Sequence, residues 1–386
     1  MGFDVIFVGG GLSAALCTLA LLDAKPGTKI AIIERTDQLG RDHTWCFHAS
    51  DVAPHLQALV EPLVSHRWSG YRVSFPHRER QLASSYTCIT GAQLHRVVSA
   101  RVADAPGCAL LLGRSVGALS REQVTLDDGT QLNAKLVIDA RGPIPSAYGS
   151  ECGYQKFVGL ELMVDPDHTL REPILMDAKV PQIDGLRFMY VLPFAADRVL
   201  VEDTYFSDNP YLHAQLSREA ILRYAQQLGL RVREVVREER GVLPMPWRCE
   251  PPTINERGPL RAGYAGSWFH PVTGYSFPFA LRFAEALSRV SLADHTLDLT
   301  PLKQLASTHA GQLPFLLSLT RTMFSWFEPS HRYAVLEHFY RLPEPLIERF
   351  YAATLTPLDR ARMFLGPPPR GLSMRRMFAG RPEVSP

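Results

Sequence analysis

Gly9-x-Gly11-x-x-Ala14, followed by Glu34, is the residue pattern in this 386-residue chain with the clearest chemistry. A glycine turn that opens a helix presents free backbone N–H groups to an anion, and the helix dipole adds to their pull. Gly9 suits a tight turn. Gly11, with Gly10 beside it, lets the backbone approach a pyrophosphate, and Ala14 lets the helix pack closely on the preceding strand. An acid ending the next strand, here Glu34, can accept from both ribose hydroxyls. The pattern therefore points to a bound dinucleotide. A metal is not expected. The six cysteines form no C-x-x-C, and His43, His48 and His270 are not spaced as ligands. The thiols read as the reduced, mostly buried cysteines of a cytosolic protein.

The motif works only in a strand–turn–helix–strand frame, and the sequence supplies one. Residues 3–8 are a short β-branched apolar run, 12–23 read as a helix apolar nearly all round, and 29–33 read as a second buried strand. A helix over 92–105, strands over 108–112, 115–119 and 122–126, a turn at Asp127-Asp128-Gly129 and a buried strand over 135–139 follow. Residues 157–250 change character: short apolar strands (157–164, 186–192, 199–203) alternate with turns around one helix near 217–229, an antiparallel pattern. A strand, a glycine-bearing loop and a helix return over 262–292. From about residue 300 the pattern is helical.

Apolar residues make up 46% of the chain and charged residues 21%, which excludes a disordered protein. The 41 basic and 39 acidic residues leave a net charge of +2, so no global basic field is available for nucleic acid, and none is expected as a partner. The apolar run from Val5 to Leu22 is broken by Gly9-Gly10-Gly11, and no uninterrupted run of about 20 apolar residues occurs elsewhere. The expectation is a soluble protein or one lying on a membrane surface.

Beyond Glu34 the chain resembles the flavoproteins that carry two dinucleotide-binding segments. Glu34-Arg35 with Gly40 and Arg41 matches the end of their second strand, and Asp139-Ala140-Arg141-Gly142 matches the segment that closes over FAD. Residues 263–276 run into a helix and match the turn beside the flavin, which implicates Gly266, Gly274, Tyr275 and Ser276. Aromatic hydroxylases carry a Gly-Asp pair in this region. Here Tyr264, Ala265 and Gly266 stand in its place, without an acid.

Longer words narrow the resemblance. His43-Thr44-Trp45-Cys46-Phe47-His48, Glu202-Asp203-Thr204, His270-Pro271-Val272-Thr273-Gly274-Tyr275-Ser276 and Phe339-Tyr340-Arg341-Leu342-Pro343 occur in the order found in the bacterial lycopene β-cyclases. The resemblance covers nearly the whole chain. It implies an α+β flavoprotein fold of the hydroxylase type, with a Rossmann-type FAD-binding domain over 1–75, 80–150 and 255–295. An antiparallel-sheet substrate domain over 151–254, with C-terminal helices over 296–370, and a tail over 371–386 complete it. It also implies FAD used in reduced form, NAD(P)H as reductant, lycopene as substrate, and a cytoplasmic protein peripherally associated with a membrane surface.

Closing a β-ring needs a proton delivered to a terminal double bond, an anion to stabilise the cation, a base and a dry aromatic cavity. The family words make Glu202 the acid. Asp203 follows it on the same strand and points to the opposite face, where it would brace the scaffold. Trp45, Tyr190, Trp268 and His270 are the candidates for contact with the polyene. The apolar helices over 309–327 and 331–351, with basic residues among them, would suit an interfacial mouth. Two rival readings share the scaffold: an FAD-dependent hydroxylase or prenyl reductase, and a non-catalytic lipid-binding carrier.

Overall fold

A computed structural model describes residues 2–143, 148–292 and 297–379. Two seven-stranded sheets and one three-stranded sheet carry the chain. The first begins with Gly2–Val8, which pairs in parallel with Ile30–Glu34 and Gln131–Asp139. The helix Leu12–Ala24 crosses between the first two, as expected, and is buried on almost every side because it lies between this sheet and the helix Phe277–Ser288. Ala109–Leu112 extends one edge; Gln123–Leu126, Val116–Leu119 and Leu260–Arg261 complete the other.

The second sheet runs in the order Val232–Pro246, Cys152–Val164, Arg198–Ser207, Leu186–Ala195, Ile174–Asp177, Tyr71–Phe75, Arg78–Leu82. Its central pairs are antiparallel, and Val232–Pro246 is far longer than the short strands expected. Two boundaries differ from the sequence reading. Residues 71–75, and most of the hairpin that follows, were expected with the dinucleotide-binding part. Instead Tyr71–Phe75 pairs in parallel with Ile174–Asp177, and its apolar residues Tyr71, Val73 and Phe75 are buried in the main core. The tail expected from residue 371 contains the helix Met374–Ala379, and Ser373 N donates to Trp326 O at 2.9 Å, tying it to the long helix Thr300–Trp326.

The faces of the second sheet divide the apolar residues. Val158, Leu160, Val191, Val199 and Val201 pack under the helix Ala214–Gln227. Phe188, Leu192, Leu200 and Phe206 point to the main core and the cavity. The small sheet of Thr44–His48, Tyr86–Thr90 and His66–Trp68 lies between the two large sheets. No helix among the described residues is long and apolar enough to cross a membrane.

Candidate active site

A cavity of about 770 Å³ runs from the glycine turn to the inner face of the second sheet. Its first end has the form of an anion cradle. Gly9 has φ +104°, and a Cβ there would lie 2.6 Å from Ala140 O, so this turn tolerates no side chain. Gly11 precedes the helix Leu12–Ala24, whose N-terminus has no side-chain cap; a Cβ on Gly11 would meet only open space in the cavity wall. Unmet N–H groups facing an empty concavity fit a phosphate. The Glu34 carboxylate is buried and also holds its own loop. Gly10 N donates to Oε2 at 2.8 Å, and Thr36 N and Oγ1 donate to Oε1 at 3.0 and 2.9 Å. Arg35 and Arg41 stand exposed at the rim. Ala14 lies under the turn, fully buried. Asp139 sits below the wall and pairs with Arg141 at 2.8 Å, which shapes the lining segment Ala140–Pro143.

The middle of the cavity is the N-terminus of the helix Phe277–Ser288. Gly274, Tyr275 and Ser276 line it. The Tyr275 hydroxyl donates to Asp51, whose carboxyl burial pushes up to about 6. Gln155 Oε1, beside Gly274, is buried without a hydrogen-bond partner, an orphan acceptor in the same wall.

At the far end is the chamber proper. Trp45, Tyr86, Phe157, Phe188, Tyr190 and Tyr351 surround two carboxyl groups, Glu202 and Glu239. The Tyr190 hydroxyl reaches Cys46 Sγ at 2.9 Å and the Tyr86 hydroxyl at 3.2 Å. Glu202 is buried and accepts from the Thr204 hydroxyl. Burial, reinforced by the neighbouring Glu239 carboxylate, pushes Glu202 up to about 8, so it keeps its proton at neutral pH. Asp203 points the other way. Arg187 grips it at 2.8 and 3.1 Å, and the Tyr205 hydroxyl donates to it at 2.9 Å.

Besides Ala14, Asp139 and Asp203, three more candidates lie outside this cavity. Trp268 is buried against Phe283 and His309, with its Nε1 on Arg261 O at 3.1 Å. His270 organises the turn below the helix: its N donates to Tyr275 O, its O accepts from Gly274 N, and burial pushes its ring down to about 3. Gly266 packs its backbone on Arg261 O. Among the described residues no group of His, Cys, Asp or Glu could hold a metal ion.

A family model described as lycopene cyclase protein matches residues 4–377. The chain belongs to the lycopene cyclase family. A lycopene β-cyclase of Pantoea ananas is 36% identical to it over 368 residues, covering 95% of each chain. Solved structures share the fold at low identity. A tryptophan 6-halogenase of Streptomyces toxytricini superposes with a TM-score of 0.64 at 12% identity, covering 96% of this chain and 91% of its own. A probable FAD-dependent monooxygenase of Pseudomonas aeruginosa gives 0.56 at 14%, covering 94% and 100%. The Rossmann-type flavoprotein fold expected from the sequence is therefore the fold observed.

For a lycopene cyclase, the residue that sequence reading missed is Glu239. It sits in the run Arg237-Glu238-Glu239-Arg240, which by composition is a solvated, charge-paired strand. Only the pleat separates Glu238, paired with Arg218 at the surface, from Glu239, turned into the chamber. Tyr86 and Tyr351 were also missed, because nothing local tells a chamber tyrosine from a core one.

Proposed function

We propose that this protein closes the ψ-ends of lycopene into β-ionone rings, giving β-carotene by way of γ-carotene, through acid–base catalysis with no net redox change. The observation that carries the reading is the Glu202 carboxyl, buried in an aromatic chamber that runs on from the glycine turn and the helix N-terminus behind it. The Glu202 proton goes to the terminal double bond, the neighbouring double bond attacks the resulting tertiary cation, and a proton leaves the new ring. Atoms balance, and no electrons are gained or lost. The faces of Trp45, Phe188 and Tyr190 offer cation–π contact to the passing charge, and the apolar walls exclude water that would quench it.

FAD is the cofactor these residues suit. The N–H groups at Gly11 and the first turn of the helix Leu12–Ala24 would hold its pyrophosphate and Glu34 its ribose, with Arg35 and Arg41 at the rim; Gly274, Tyr275 and Ser276 would border its ring. When bound and reduced by NAD(P)H, it supplies negative charge beside the chamber. Asp203 supports the strand rather than touching substrate, and Trp268 and His270 shape the turn that lines the cavity.

A substrate without polar groups must arrive from lipid, so peripheral membrane association is part of the proposal. The helices expected to form the mouth turn much of their apolar surface inward. Further along the chain, Leu358, Phe364, Leu365, Met374 and Met377 are exposed, with Arg362, Arg370 and Arg375 exposed among them in sequence; Ile183, Tyr211, Leu216 and Val236 are exposed elsewhere. That mixture suits an anionic lipid surface.

One experiment tests the whole reading: purified protein, lycopene in anionic vesicles, and anaerobic NAD(P)H. Expected are products of unchanged mass with β-ring spectra, flotation of the protein with the vesicles, and reductant use far below one equivalent per ring. Products two mass units heavier, with one NAD(P)H consumed each, would identify a reductase instead.

A further inference from the structure

We propose that Glu239 is a positioning partner of Glu202: the two carboxyl groups flank Gly159 on the chamber face and hold a single proton between them, kept on Glu202. This rests on the reading of Glu202 as the acid.

The geometry comes from strand register. Gly159 stands opposite Glu202 on one neighbouring strand and opposite Glu239 on the other. Residues directly opposite share a face, so the three form one row across the sheet, with Tyr190 beyond Glu202. A side chain in the middle would separate the acids. Gly159 leaves the gap open, and a Cβ there would lie 3.0 Å from Glu239 Cγ and 3.1 Å from its Oε1. Two carboxyl groups facing one small enclosed space do not both ionise readily, because like charges at low dielectric repel strongly.

Which one keeps the proton follows from their other partners. Glu239 has a cation: Arg237 Nη1 lies 3.2 Å from its Oε2, and the backbone and hydroxyl of Thr44 also donate to it. Arg237 is itself fixed, by Glu161 at 2.8 Å, the Thr44 hydroxyl at 3.1 Å and Asp42 O. Glu202 has only the Thr204 hydroxyl, beside Tyr190 and the open chamber. Burial pushes Glu239 up as well, to about 7, but these donors hold it below Glu202, so the proton that the pair keeps sits on Glu202.

The other titratable groups facing the pair do not reverse this. From the small sheet and the loop before it come His43, held neutral by burial, with Cys46, Cys88 and Tyr86, whose hydroxyl burial pushes up. On the pair's own sheet Glu161 is neutralised by Arg198 and Arg237, and Asp203 lies behind with Arg187. In turnover Glu202 gives one proton to the polyene and regains one from the closed ring, so the pair returns to its starting state.

Glu239→Gln removes the charge without changing size. The alkaline limb of cyclisation is expected to move acidward by about one pH unit or more, so that the variant-to-parent rate ratio falls roughly tenfold between pH 6 and pH 8. Glu239→Asp should restore the limb, and flavin absorbance should be unchanged in both. If Glu239→Gln does not fold, with Arg237 left to Glu161 alone, the double variant Arg237→Gln Glu239→Gln is compared with Arg237→Gln, where the same acidward move is expected. In the parent protein, infrared spectroscopy should show a protonated carboxyl band that titrates near neutral pH and is lost in Glu202→Gln. An unmoved limb, or no such band between pH 5 and 9, overturns the pairing. An active Glu202→Gln would instead overturn the reading of Glu202, a separate result.

Discussion

Glu202 and Asp203 are adjacent acids on one strand, both buried, and they lead opposite lives. On the helix side of the sheet Asp203 meets a guanidinium, a tyrosine hydroxyl and close-packed apolar side chains, with Arg187 at 2.8 Å. Its charge is fully compensated and fixed. On the chamber side Glu202 meets one hydroxyl, aromatic walls and a like-charged neighbour, and is pushed up to about 8. One face holds a carboxylate in an ion pair and the other favours a carboxyl that keeps its proton. Residue type does not make the difference; what lies opposite does.

The sharpest way to break this comparison is Glu202→Gln. A positioned general acid contributes about 10²–10⁴-fold, and the dry chamber offers no substitute, so the rate of cyclisation should fall to the upper end of that range or beyond. Folding and FAD retention should survive, since the cradle lies on the other sheet. Near-parent activity would place the acid elsewhere.

Asp203→Asn should do the reverse. It leaves the Arg187 charge half-satisfied in a buried site, which costs about 2–4 kcal/mol of stability, visible as a lower melting temperature. Activity per folded molecule should drop far less than in Glu202→Gln. A dead but fully stable Asp203→Asn would exchange the two roles.

The same contrast shows through pH. The folded protein holds the Glu202 proton up to about 8, against about 4.5 when unfolded. The folded state therefore binds more protons between these values, and stability falls as pH rises through that window, by up to ~1.4 kcal/mol per unit for this one group. Glu202→Gln has no such proton, so its melting temperature should gain on the parent's from pH 5 to pH 8. Parallel curves would mean that the carboxyl ionises normally in the fold.

Much of this molecule is local and was legible as such. Gly9, Gly11, Ala14 and Glu34 lie within one strand–helix–strand unit, where spacing alone sets geometry, and the buried strands on either side announce themselves by continuous apolar runs. The inner and outer faces of Arg198–Ser207 follow from its pleat once the strand is recognised. Family words, rather than chemistry, drew attention to Glu202, and the same words also marked His270, which the fold places beneath the cavity wall.

What the sequence by itself determined is therefore the cradle, the class of fold and the opposed directions of two adjacent acids, because each depends on contacts within a few residues or on simple alternation. Tertiary structure alone decided the rest. It took Tyr71–Phe75 out of the dinucleotide half, through a parallel pairing with a strand about a hundred residues away. It also set Glu239 across Gly159 from Glu202, since register between distant strands is fixed by the packing of whole faces and leaves no local mark on the residues it brings together.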